Sequence, residues 1–167
     1  MTTTERLGHD GVSDRDLFLL ALPRSEDLPG SLSLATSRFV CLLAWDARAA
    51  STDEIATLAR RLLNAGAVYV CAWGPDCERV HDIIDEASVG PNPDPGTYGV
   101  VMTTWHDSES LAEVLGFVLT AAWPDEAYED DCGCTIGIAI GSPQWADEIR
   151  AVFSNPPDFV RQLDPES

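Results

Sequence analysis

At 167 residues, 45% of them apolar, the chain has the length and composition of one domain with a substantial core. Its formal charge of -18 comes from 28 acidic residues against 10 basic ones, all of them arginine; this excludes lysine Schiff-base chemistry and a P-loop lysine, and argues against binding naked nucleic acid. The acidity favours a basic protein partner, a cationic ligand, or simply a solvated surface.

Residues 1–30 read as a weakly ordered lead: MTTTERLGHDGVSDRD is polar and acidic, DLFLLAL (16–22) is an apolar run that suits either strand or helix, and LPRSEDLPGS breaks it. An α/β domain is expected over 31–154, with a C-terminal tail over 155–167. RFVCLLA (38–44) is a continuous apolar run, the mark of a strand buried on both faces. STDE (51–54) is a capping-box match, and Ile55, Leu58, Ala59, Leu62 and Leu63 fall on one face of the helix behind it, which Asn64-Ala65-Gly66 stops.

The unit then repeats. AVYVCA (67–72) predicts a strand, Gly74-Pro75 a helix start, and Val80, Ile83, Ile84 and Ala87 the inner face of that helix. SVGPNPDPGT is a proline- and glycine-rich loop before a third strand, YGVVMTT (98–104), and a helix lined by Leu111, Val114, Leu115, Val118 and Leu119. An acidic loop (124–134) leads to the strand TIGIAI (135–140). Ser142-Pro143 then caps a helix whose inner face is Trp145, Ile149, Val152 and Phe153, and Asn155-Pro156-Pro157 ends it. Strands alternating with amphipathic helices predict a single three-layer Rossmann-like domain: an open, mostly parallel sheet of about four to five strands with helices on both faces.

Ligands of such sheets sit at the carboxyl ends of the strands. Three of those ends carry tryptophan: LAWDA, CAWGPDC and TTWHD. Trp45, Asp46, Trp73, Trp105 and Ser142 are therefore the expected ligand-binding residues of an aromatic rim, although tryptophans that merely close the core edge give the same pattern. Cys77, His81 and His106 are the catalytic candidates: a cysteine near a helix start with a histidine one turn on can act as nucleophile and base, and His106 beside Asp107 or Asp46 as a general base. Buried structural cysteines and a capping histidine explain the same residues without chemistry. Cys77, His81, Cys132 and Cys134 form a weak structural-zinc set; otherwise no cofactor or metal is expected.

Five cysteines, an odd number, and an opening without a secretory signal point to free thiols in the cytoplasm. No apolar run reaches the roughly 20 residues of a membrane span. Glycine-rich dinucleotide, P-loop and nucleophile-elbow motifs are absent. The segments WGPDCERVHDIIDE and VMTTWHDSESLAE resemble an uncharacterised family of small bacterial α/β proteins over roughly residues 38–150. That resemblance implies a stand-alone domain, and because the family has no established activity it carries over no catalytic residue. The leading expectation is a small acidic, non-catalytic interaction protein of immunity, inhibitor or accessory type that docks a protein partner. The alternative is a small enzyme or ligand-binding protein that uses the tryptophan rim.

Overall fold

The computed structural model describes residues 3–89 and 99–163. Six strands form one sheet: β1 (Glu5–Asp10), β2 (Arg15–Leu22), β3 (Phe39–Trp45), β4 (Ala67–Trp73), β5 (Met102–His106) and β6 (Cys134–Ile140). Their order across the sheet is β1-β2-β6-β3-β4-β5. All neighbours are parallel except β1, which pairs antiparallel with β2. The expected open, mostly parallel α/β sheet is the architecture found.

The helices are α1 (Thr52–Ala65), α2 (Cys77–Val89), α3 (Leu111–Thr120), α4 (Pro143–Ser154) and α5 (Pro156–Leu163). Helices α1 and α2 pack on one face of the sheet, against Phe18, Leu20, Phe39, Cys41, Leu43 and Ile138. The other face, with Leu17, Leu19, Val40, Leu42 and Cys71, is covered by α3 and α4. The central strands β3 and β6 are buried at every position, which is why they read as unbroken apolar runs. Each leucine, isoleucine or phenylalanine fully removed from water contributes roughly 1.5–3 kcal/mol.

The helix boundaries follow local chemistry. The Ser51 side chain accepts from the Glu54 amide at the start of α1, and Gly66 ends that helix at φ 120°, where an added Cβ would stand 2.0 Å from the Ser37 carbonyl oxygen. Ser142 caps α4 by accepting from the Trp145 amide, with Pro143 in the first turn.

Several expectations are corrected. Residues 5–22 are not a loose lead: β1 and β2 form a hairpin, and β2 inserts beside β6 as a full member of the sheet. The turn is held by the Asp10 carboxylate, which accepts from the Val12 and Ser13 amides and the Ser13 hydroxyl. The second helix begins at Cys77, not at Pro75, after Gly74 (φ 116°) and Asp76 (φ 68°) have turned the chain. The third strand runs to His106, later than 98–104, and Ser110 caps α3. Part of the acidic loop is a short 3-10 helix, Glu126–Asp131. Asn155-Pro156-Pro157 ends α4 but also opens α5, so the tail begins as a helix. The loop expected around SVGPNPDPGT lies mostly outside the described residues.

Candidate functional site

The strand ends that carry tryptophan do lie at one rim of the sheet, but register turns their side chains apart. Trp73 pairs with Ala44 and with His106, whereas Trp105 pairs with Ala72. Trp45 and Trp105 are therefore each one position out of step with Trp73. Because side chains alternate between faces along a strand, that single step sends them to the opposite side of the sheet. Trp45 is 6% exposed in the α1–α2 core layer. Trp73 lies on the α3–α4 side, with Trp145 edge-on at 4.9 Å and its indole N–H donated to the Glu109 carbonyl. Trp105 projects on the α2 side at the sheet edge and stays 44% exposed. The three do not line one aromatic cleft.

The same alternation separates the catalytic candidates. The His106 ring points to the α3 side, 4.9 Å from the Phe117 ring, and is held between the Thr104 hydroxyl and the Glu109 carboxylate at 2.9 Å each. The His81 ring lies on the other side of the sheet, 4.6 Å from the Trp105 ring, with Nδ1 2.9 Å from Asp82. Cys77 is 1% exposed and belongs to the core beneath α2. Burial pushes its thiol pKa up, partly offset by a hydrogen bond from the His106 backbone. A buried, protonated thiol with the two imidazoles on opposite faces is not a nucleophile–base arrangement. The zinc set also fails to assemble. Cys132 and Cys134 lie at the amino end of β6 and Cys77 beyond the carboxyl end of β4, and among the described residues no group of three metal-ligating side chains converges.

Two other features occupy the molecule's edges. The first is an open cleft of about 620 Å³ at the carboxyl ends of β2, β3 and β6. Strand β3 leads into α1 on one face and its neighbour β6 into α4 on the other, so the chain parts here to opposite sides of the sheet, the location at which parallel α/β sheets form crevices. Trp45, Asp46 and Ser142, three of the expected ligand residues, line it with Trp145, Arg24 and Arg48. Both Asp46 oxygens are taken by Arg48, at 2.9 and 2.7 Å, and this guanidinium holds the carboxyl below its usual range. Arg24 is likewise held by Glu26 at 3.0 Å.

The second is the flank made by α2 and β5. Glu78, Asp82, Asp85 and Glu86 recur at helical spacing along the exposed side of α2, and among the described residues no arginine pairs with them. The one arginine of α2, Arg79, is engaged by Asp76 and by the Ala47 and Ala50 carbonyls. From Arg79 to Arg150 the chain contains no other lysine or arginine. Beside this stripe, β5 is the last strand of the sheet and exposes Met102 (40%) and Trp105. Asp85 reaches the strand itself, accepting from the Thr103 hydroxyl at 3.3 Å. Sequence reasoning missed this flank because the acidic spacing on α2 reads as ordinary solvated helix. The signal lay in the arginine-free span together with an aromatic on a short strand.

A model for a family described as a domain of unknown function, DUF7684, matches residues 17–156. No curated protein and no solved structure matches.

Proposed function

The chain belongs to the DUF7684 family, whose description assigns no activity, and from its own chemistry we propose that it is a non-catalytic interaction protein that docks a basic protein partner on the α2–β5 flank. One observation carries the reading: Trp105 and Met102 are exposed on β5, which Asp85 of α2 contacts, and among the described residues no arginine pairs with the four exposed carboxylates of that helix. An aromatic anchor rimmed by charge of one sign has the composition of a binding surface: the apolar centre supplies affinity, and the charge supplies steering and partner choice. The reading is supported by the placement of Cys77 in the core and of His81 and His106 on opposite sides of the sheet. An immunity, inhibitor or accessory role is the kind of task such a surface performs.

Affinity capture from the source cell tests the reading. A specific partner is expected on the wild-type chain and lost on Trp105→Asp and on the triple variant Asp82→Asn, Asp85→Asn, Glu86→Gln. The interaction should weaken steeply between about 0.05 and 0.5 M salt, because exposed charges are screened over roughly a Debye length. A partner retained equally by all three proteins, or indifferent to salt, sinks the proposal.

A second reading rests on the cleft between β3 and β6. Its position and its lining by Trp45, Asp46, Ser142 and Arg48 favour a small polar ligand. A ligand that raises the melting temperature of the wild-type protein but not of Ser142→Trp, which fills the cleft, supports it. A shift retained in that variant places the ligand elsewhere.

A further inference from the structure

We infer that the partner docks by strand addition: an extended segment with alternating basic and apolar residues joins β5 as a seventh strand. This rests on the docking reading above and names its mode and the partner's chemistry.

The two edges of the sheet are built differently. At one edge, β1 carries an irregular register between Arg6 and Gly8, alternates Glu5 and Arg6 with little apolar surface, and packs against α4 and α5. These are the devices by which an edge avoids pairing with another chain. At the other edge, β5 has regular register with β4 over all five residues, Met102 to His106, and no proline, lysine or arginine. Among the described residues no backbone hydrogen bond reaches it from any strand but β4. A regular, unblocked edge offers a row of main-chain donors and acceptors, and strand addition is the mode of recognition that uses them.

The side chains specify what kind of strand fits. On the α2 side of β5 stand Trp105 and Thr103, with Asp85 accepting from the Thr103 hydroxyl and the His81 ring against Trp105. A lysine or arginine on an added strand would meet an aromatic face and a carboxylate together there. On the α3 side Met102 is exposed, while Thr104 and buried His106 bond to each other, so an apolar residue suits the Met102 position. The period of two along a strand therefore converts the two faces of β5 into a basic/apolar alternation in the partner. A second copy of this chain fits poorly: pairing β5 with β5 would set one α2 carboxylate stripe against another, and the one arginine of each α2, Arg79, is already engaged by Asp76 and two carbonyls.

The probe is a synthetic capped peptide of about nine residues alternating lysine and valine, against a control in which the central valine is proline. The proline removes one backbone donor and distorts the strand while leaving the charge unchanged. The alternating peptide is expected to bind the full-length protein at least ~10-fold more tightly than the proline control, since several main-chain bonds are lost in the latter. It should slow hydrogen exchange at the Met102–His106 amides, and Trp105→Ala should weaken it by a similar factor. Equal affinity for the two peptides, or no added protection at β5, overturns strand addition. A captured cellular partner that needs the α2 carboxylates but leaves β5 unprotected also overturns it while the docking reading stands. A partner indifferent to those carboxylates removes both. Concentration-dependent dimerisation that protects β5 without peptide assigns the edge to a second copy and overturns the inference.

Discussion

Arg15 sits at the start of β2, 3% exposed, and among the described residues no carboxylate lies within ion-pair distance of it. Its guanidinium donates to the Ala122 carbonyl at 2.8 Å and the Thr135 hydroxyl at 3.3 Å, and lies over the Trp123 ring at 5.2 Å. Burial lowers its pKa, with the Asp10 charge across the hairpin among the smaller opposing influences, and these contacts replace the water the guanidinium loses. The residue ties the chain after α3 to the lower end of the sheet. Arg15→Ala should destabilise the protein by about 2–3 kcal/mol, from lost packing of the stem and two buried acceptors left without their donor. Arg15→Met, which keeps the stem, should cost roughly half as much. Urea unfolding checks both, and a change under about 0.5 kcal/mol for the alanine variant would show that the contacts carry no net stability. The cysteines make a second case. All five are buried and free, and burial raises the pKa of Cys77 and Cys132 and pushes Cys71 up to about 12. The native protein should therefore resist iodoacetamide at pH 8 and take up five labels only in urea, as read by intact mass; rapid labelling of Cys77 in the native state would restore it as a reactive thiol.

At the level of elements, the β1–β2 hairpin holds a pH-dependent pair. His9 contacts Asp16 at 2.9 Å and Asp14 at 3.0 Å, and the Asp16 hydrogen bond raises the His9 pKa above its usual 6.5. The stability this gives is fully present below about pH 6.5 and is lost as pH rises through the folded value. Asp16 is lowered by His9 and then Arg6, so its contribution is lost in the opposite direction, as pH falls through its depressed pKa. The difference in unfolding free energy between wild type and His9→Gln should be positive at pH 5.5 and vanish by about pH 9; a difference constant across that range excludes the pair as its source. This hairpin was also the element least legible in the sequence. ERLGHD has no apolar alternation, because β1 is an exposed edge, and LFLLAL (17–22) is apolar throughout, because β2 is buried on both faces. By contrast β3, α1, β6 and α4 were legible because each carries its own signal: an unbroken apolar run, or a cap followed by a 3.6-residue period. The rim tryptophans were legible as a recurrence but not as a geometry. Whether Trp45, Trp73 and Trp105 meet depends on register between strands, and the one-residue offsets that part them are fixed by packing across the sheet, which no single segment encodes.

Across the whole molecule, a charge of -18 acts on three equilibria with different signs. It opposes compaction through self-repulsion, so salt that screens it should raise the melting temperature. It attracts a basic partner, so the same salt should weaken docking. It also keeps copies of the chain apart, and here the regular, unblocked β5 edge gives charge a third task. The β1 edge is protected by its irregular register and by α4 and α5, whereas at β5, among the described residues, the neighbouring carboxylates of α2 are what discourages pairing with another copy. Neutralising Asp82, Asp85 and Glu86 together should leave the fold intact, since all three are exposed, yet allow association through β5. Sedimentation should find the wild type monomeric near 0.05 M salt and the triple variant dimerising or aggregating at the same concentration. Adding Thr103→Lys, a charge on the strand itself, should return the variant to monomer. If the triple variant stays monomeric while its melting temperature rises, the carboxylates act only through general repulsion and the edge is guarded by something other than charge.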